Sequence, residues 1–312
     1  MLNKSITLPA LGLTLAVTFG CSEAPKNELP VAGSAQKMVE QAKSPEKAIV
    51  TVNQAKLEYA VQARNDEDKS RDGARNPIET LEFFQVAPGM VVAEALPGGG
   101  WYSKVLARYL GSEGTLYGIN YNDDMWARFG FFDEESIQKS IEQTTKFPEM
   151  VSGFAEQGPQ SSGFTFNSAP KELAGTVDRV LFIRALHNLS RFENEADTMS
   201  GALAAAHMML KENGLVGVVQ HQGPEKNSDD WANGGSGYLK KSAVIEAFKT
   251  AGFELVAESD INENRKDVPT EEEIVWRLPP SYSGTADDPL LKNKVDAIGE
   301  SNRMTLLFKK AQ

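Results

Sequence analysis

Residues 91–120 read VVAEALPGGGWYSKVLARYLGSEGTLYGIN, and no other stretch constrains the fold as tightly. A short apolar run ends on Glu94, and the chain passes through Pro97-Gly98-Gly99-Gly100. A helix-patterned segment follows, and a second apolar run closes on Asn120. Strand, glycine turn, helix and strand within about thirty residues is the size of one βαβ unit. Three consecutive glycines admit a ligand to the backbone where any Cβ would collide. The free N–H groups at the start of the helix point into the same space. The stretch reads either as a ligand-holding loop at the end of a parallel sheet or as a tight turn that lets helix and sheet pack closely. The dinucleotide pattern G-x-G-x-x-G is absent, and Trp101 and Tyr102 are too bulky for a pyrophosphate to lie flat on the helix start. A nucleoside without a diphosphate fits the loop better.

Further apolar, strand-like runs occupy residues 164–166, 177–183, 215–220, 253–258 and 304–309. With residues 90–95 and 116–120 they make seven. Helix-patterned segments at 193–210 and 242–251 alternate with them, which predicts a parallel sheet covered on both faces. Lys211-Glu212-Asn213-Gly214 predicts a glycine stop to the first of these helices. Residues 121–162 are poorly periodic but carry Trp126, Phe129, Phe131 and Phe132, which predicts helices capping the sheet edge or a pocket. The charged run 64–75 (RNDEDKSRDGAR) reads as a loop or short solvated helix, in which Arg71 and Arg75 either face water or clamp a carboxylate.

The 312 residues are 41% hydrophobic and 24% charged, ordinary for a globular protein, and the net charge is −11. That charge disfavours nonspecific nucleic-acid binding, so no nucleic-acid partner is expected. At the N-terminus, Lys4 precedes an apolar segment over 6–19 that is too short to span a bilayer. It ends in Thr18-Phe19-Gly20-Cys21, and Cys21 is the sole cysteine. A small residue before a lone cysteine resembles the lipobox of bacterial lipoproteins, whose cysteine is acylated. A plain secretory signal or a buried free thiol are the other readings. The expected organisation is a signal over 1–20, a flexible tether over 21–44 and one domain over 45–312. It implies export to the bacterial cell envelope (periplasm), with the membrane contacted only through a lipid on Cys21. One cysteine permits no disulfide within the chain.

The loop EALPGGG, the strand VDRVLFIRALHNL, the pair LKENGLVGVVQH, the segment AVIEAFKTAGFELVAES and the terminal SNRMTLLFKK together resemble the class I S-adenosylmethionine-dependent methyltransferases. Within that class, PGMVVAEALPGGGWYSKVLARYL is similar to a group of predicted bacterial methyltransferases. The resemblance implies an α/β, Rossmann-like doubly wound, mostly parallel seven-stranded sheet with a C-terminal antiparallel strand. It implies S-adenosylmethionine as cofactor, held by Glu94, Gly98, Gly99, Gly100, Trp101 and Asn120. Two positions depart from the pattern: Leu96 replaces the first loop glycine, and Asn120 replaces the carboxylate that accepts the ribose hydroxyls. An amide accepts one such bond and donates another.

Methyl transfer needs an aligned nucleophile, sometimes a base, and exclusion of water. Arg184, His187 and Asn188 follow the fourth strand and His221 follows the fifth, so these four are the candidate catalytic residues at the carboxyl ends of the strands. The three histidines lack metal-ligand spacing, and no G-x-S-x-G elbow is present. The expected function is methyl transfer to a small molecule. The alternative is an envelope-tethered, non-catalytic ligand-binding protein on a degenerate methyltransferase fold, since S-adenosylmethionine is made in the cytosol.

Overall fold

The computed structural model describes residues 51–312, so the expected signal, the whole expected tether and Cys21 lie outside the described residues. Seven strands form one sheet: β1 (Val91–Ala95), β2 (Thr115–Asn120), β3 (Gln160–Thr165), β4 (Val177–Ile183), β5 (Leu210–His221), β6 (Phe253–Ser259) and β7 (Arg303–Lys310). Their order is β3-β2-β1-β4-β5-β7-β6. Strands β1 to β5 pair in parallel, and β7 runs antiparallel between β5 and β6. The expected doubly wound sheet with an antiparallel C-terminal strand is what the chain forms.

Side chains alternate across the sheet, as the period of two demands. On one face Val92, Leu116, Leu181 and Leu307 meet Leu57, Leu81, Leu106 and Phe147. On the other Ala93, Val180, Phe182, Val218 and Phe308 meet Leu203, Ala206 and Phe248. The helix Ser103–Leu110 after β1 covers the first face, and the helices Thr198–Met209 and Lys241–Thr250 after β4 and β5 cover the second. Burial on both faces is why β4 is an almost unbroken apolar run.

Three local expectations are corrected. Strand β3 starts at Gln160 rather than 164, because the polar Gln160-Ser161-Ser162-Gly163 pairs with Thr115 to Gly118 in register and tertiary pairing overrides its weak β propensity. No glycine cap ends the helix at 211–214. Leu210 is already extended, and the four residues are taken up where Val177 pairs with Leu210 but Arg179 with Leu215. The run 64–75 is no solvated face: it forms the short helices Asp66–Lys69 and Asp72–Arg75, and Arg64, Asp68 and Arg75 are buried.

Close approach of helix to sheet is set by glycines on β2 and β3. A Cβ on Gly118 would lie 2.5 Å from the Phe147 ring, and one on Gly163 would lie 1.8 Å from the Thr144 carbonyl oxygen. A backbone oxygen cannot swing aside as a side chain can. Gly163→Ala is therefore expected to lower stability by roughly 1–3 kcal/mol or more. Gly73→Ala, whose Cβ would meet nothing within 4 Å, serves as the control. Thermal melts of the two variants check this, and equal midpoints would contradict the packing described.

Candidate functional site

The loops after β1 and β4 leave on opposite faces of the sheet, which opens a crevice at the carboxyl ends of the strands. A cleft of about 600 Å³ lies there, within the usual range for small-molecule sites. Its floor is the loop of Leu96, Pro97, Gly98 and Gly99, and its walls include Asn120, Phe147, Met150, Arg184 and Asn188.

The loop is held by its backbone. Leu96 N–H donates to the Ile119 carbonyl at 2.7 Å, and Gly100 N–H donates to the Pro97 carbonyl at 2.9 Å. Leu96 (φ 53°), Gly98 (54°) and Gly100 (76°) all sit in the left-handed region. For leucine this costs about 1–2 kcal/mol. The glycines divide the labour. A Cβ on Gly99 would meet nothing within 4 Å, and Gly99 lines the cleft. A Cβ on Gly100 would strike Phe154 at 2.8 Å, so Gly100 permits packing and does not line the cleft.

Asn120 reaches the cleft from the end of β2. Its Oδ1 accepts from Tyr121 N–H at 2.8 Å and its Nδ2 donates to Thr144 Oγ1 at 2.9 Å. Each group keeps one unused valence, a second lone pair and a second N–H, for a ligand.

Besides Gly100, two more expected cofactor contacts, Glu94 and Trp101, fall outside the cleft lining. Glu94 is 4% exposed beneath the loop, where Ser103 Oγ donates to its Oε2 at 2.6 Å. Burial pushes its carboxyl up to about 7, against the lowering effect of the Ser103 bond. Trp101 is clamped between the guanidiniums of Arg64 and Arg75, each 4.5 Å from its ring centroid. Both residues support the loop and the following helix rather than the cleft surface.

Of the residues after β4, Arg184 and Asn188 line the cleft. Arg184 also has positive φ (57°), and its N–H donates to the Val219 carbonyl at 2.6 Å. His187 and Asn188 border an adjoining cavity of about 390 Å³ walled by Tyr121, Trp126, Phe129 and Trp276. This is the pocket that the aromatic segment 121–162 helps to cap. His187 Nδ1 lies 3.2 Å from Gln220 Oε1, while Gln220 Nε2 donates to the carbonyls of His221 and Gly237. That arrangement puts the proton on Nδ1 and leaves Nε2 as the basic atom. Burial holds His187 down at about 4, so the ring is neutral at pH 7. His221 does not reach the cleft. Its Nδ1 lies 2.6 Å from Ser301 Oγ, its ring stands 5.3 Å from that of His187, and burial likewise keeps it neutral. Trp276, Glu300 and Arg303 complete the surroundings. They come from the irregular segment before β7 and from its first residue, where no periodic signal marks them.

No family model matches the chain, and no curated protein matches it. Among solved structures it is similar to the geranyl diphosphate C-methyltransferase of Streptomyces coelicolor A3(2), at 9% identity and a TM-score of 0.49, over 84% of this chain and 88% of that one. It is also similar to an S-adenosylmethionine-dependent methyltransferase from Aquifex aeolicus, at 16% identity and a TM-score of 0.42, over 67% of this chain and 93% of that one. A third is the 1,6-didemethyltoxoflavin-N1-methyltransferase of Burkholderia thailandensis, at 11% identity and a TM-score of 0.40, over 83% and 87% of the two chains. These likenesses concern the fold; the chemistry of the site rests on its own geometry.

The buried Glu94 makes a signed prediction. Its folded-state value of about 7 lies above the ordinary 4.5, so the folded state binds this proton more tightly than the unfolded state. The resulting stabilisation is complete below 4.5 and is lost as pH rises through about 7. Glu94→Gln, neutral at every pH, is expected to gain on the parent across that window and keep a constant lead above it, on the order of 3 kcal/mol. Paired melts from pH 4 to 8 measure the gap, and a gap independent of pH would refute the burial assigned to this carboxyl.

Proposed function

We propose that this protein is an S-adenosylmethionine-dependent methyltransferase acting on a small molecule. The observation that carries the reading is the cleft at the β1–β4 crevice, where the empty side-chain position of Gly99 and the spare donor and acceptor of Asn120 face one space. The residues present fit the cofactor. The backbone of 96–99 offers a cradle that a Cβ would fill, Asn120 meets the ribose hydroxyls, and Leu96, Phe147 and Met150 give apolar walls for the base. When bound, S-adenosylmethionine supplies an electrophilic methyl group on a sulfonium.

The chain's own residues do the rest. The aromatic cavity beside the cleft takes the acceptor and excludes water, which raises the worth of every polar contact inside it. Asn188 borders both spaces and orients the acceptor toward the cleft. Neutral His187, with Nδ1–H fixed on Gln220, offers Nε2 to an acceptor proton released as the methyl group arrives. Burial, and after it the charge of Arg184, disfavours a positive charge on His187, so the imidazole stays unprotonated at neutral pH.

Calorimetric titration of S-adenosylmethionine and S-adenosylhomocysteine tests the reading. Micromolar binding of both is expected, and Gly99→Val is expected to abolish it while leaving the melting midpoint unchanged, since a Cβ at this position meets nothing within 4 Å. Absence of binding at millimolar ligand, or unchanged affinity in the variant, would overturn the reading. The fold would then stand as a non-catalytic binding scaffold.

A further inference from the structure

Behind Arg184, away from the glycine loop, four guanidiniums gather around one carboxylate. Nε and Nη2 of Arg71 both lie 2.7 Å from Glu300 Oε1, Arg303 Nη2 donates to Oε2, and Arg75 Nε stands 3.7 Å from Oε2. Arg184 has no carboxylate partner among the described residues. Arg303 and Arg75 are 2% and 3% exposed. Nε and Nη1 of Arg75 and Nε of Arg184 are buried without any acceptor. Four cations against one anion leave three positive charges uncompensated, with Arg75 and Arg303 buried and Arg71 and Arg184 half-buried. Buried cations call for a counter-charge, and arginine does not shed its proton at neutral pH. A small cavity of about 70 Å³ opens among these groups, lined by Arg71, Arg184, His221, Glu300 and Arg303. It has room for one small charged group and not for a whole metabolite.

We propose that the methyl acceptor is an apolar molecule bearing an oxyanion, a carboxylate or a phosphate, which docks on Arg71, Arg184 and Arg303 while the apolar body lies in the aromatic cavity. This rests on the methyl-transfer reading above. Planar guanidinium forks match both oxyanions, so the chemistry is shared between the two. The walls of the small cavity come from Arg71, the end of β5 and residues 275–303, with none from the glycine loop, and Arg184 is the one lining residue it shares with the cofactor cleft. It shares Trp276 with the aromatic cavity, and the His221 ring that lines it stands 5.3 Å from the His187 ring that borders that cavity. The oxyanion therefore belongs to the acceptor rather than to the methionine end of the cofactor.

The test titrates inorganic phosphate and benzoate calorimetrically into the full chain, free and saturated with S-adenosylhomocysteine, at constant ionic strength. One saturable site in the millimolar range or tighter is expected for at least one probe, undiminished by S-adenosylhomocysteine. The probe bound more tightly tells a phosphorylated acceptor from a carboxylic acid. Arg71→Gln, at a partly exposed position, is expected to weaken the anion about tenfold. Glu300→Gln, which removes the internal competitor, is expected to tighten it by about as much. Affinity for S-adenosylhomocysteine stays unchanged in both. A merely structural cluster would not produce opposite signs, and the wild-type titrations decide even if one variant fails to fold. No saturable binding of either probe, with S-adenosylhomocysteine still bound, would overturn this inference and leave the methyl-transfer reading standing. Displacement of the anion by S-adenosylhomocysteine would assign the site to the cofactor's own carboxylate and overturn it as well. Anion binding without any S-adenosylhomocysteine binding would overturn the methyl-transfer reading and, with it, the identification of the anion as an acceptor.

Discussion

The structure depends on one topological constraint. Parallel strands joined by right-handed crossovers must send the chain after β1 over one face of the sheet and the chain after β4 over the other. The two loops diverge where β1 and β4 lie side by side. The cleft lining is arranged around that divergence: the glycine loop on one lip, Arg184 and Asn188 on the other, and Asn120 at the neighbouring strand end. Gly118 and Gly163 then let the helix Phe147–Phe154 and the end of the helix Glu134–Thr145 come close enough to wall the cleft. A larger residue on either strand would lift that wall.

Electrostatics divide the same region into two kinds of environment. Beneath the loop, Glu94 is buried with one hydroxyl donor and no cation, and so holds its proton near neutrality. Across the crevice, guanidiniums outnumber carboxylates, and the two histidines stay neutral because burial disfavours their charged forms, helped by Arg184 beside both and by Arg303 beside His221. A chain with net charge −11 that nonetheless concentrates cations in one buried place has separated its local field from its overall charge. Attraction of an anion into the cavity is then a local property, set by Arg71, Arg184 and Arg303 rather than by the protein's surface.

How much of this was readable from residues alone follows from the range of the interactions. Strand β4 was found to the residue, because burial on both faces writes a continuous apolar run into the sequence. The glycine loop and Asn120 were found because their neighbours in the chain are their neighbours in space. Strand β3 was found late, since Gln160 to Gly163 are strand only by pairing with β2. For Arg71 and Arg75 the sequence leaves open whether they face water or clamp a carboxylate, because the carboxylate they clamp, Glu300, lies 229 residues from Arg71. Trp101 looked like a cofactor wall for the same reason, as Arg64 and Arg75 clamp it from a run that reads as surface. Trp276 and Arg303 gave no signal at all, since they act through tertiary placement on a segment without periodicity.

Leu96 shows how a departure from a glycine pattern can leave a site intact. Its left-handed backbone costs about 1–2 kcal/mol relative to glycine. The same side chain is partly buried against the core on one sheet face and borders the cleft. Half-burying a leucine returns about 1 kcal/mol, so the two effects nearly cancel. Tight backbone anchoring to Ile119 keeps the turn in place despite the strain. The chain therefore keeps the loop geometry that glycine would give and gains an apolar wall beside the space where Gly98 and Gly99 stay bare. Replacing the glycine here reshapes the surface of the cleft without closing it, which is why the loop is compatible with a bound nucleoside even though its sequence departs from the usual one.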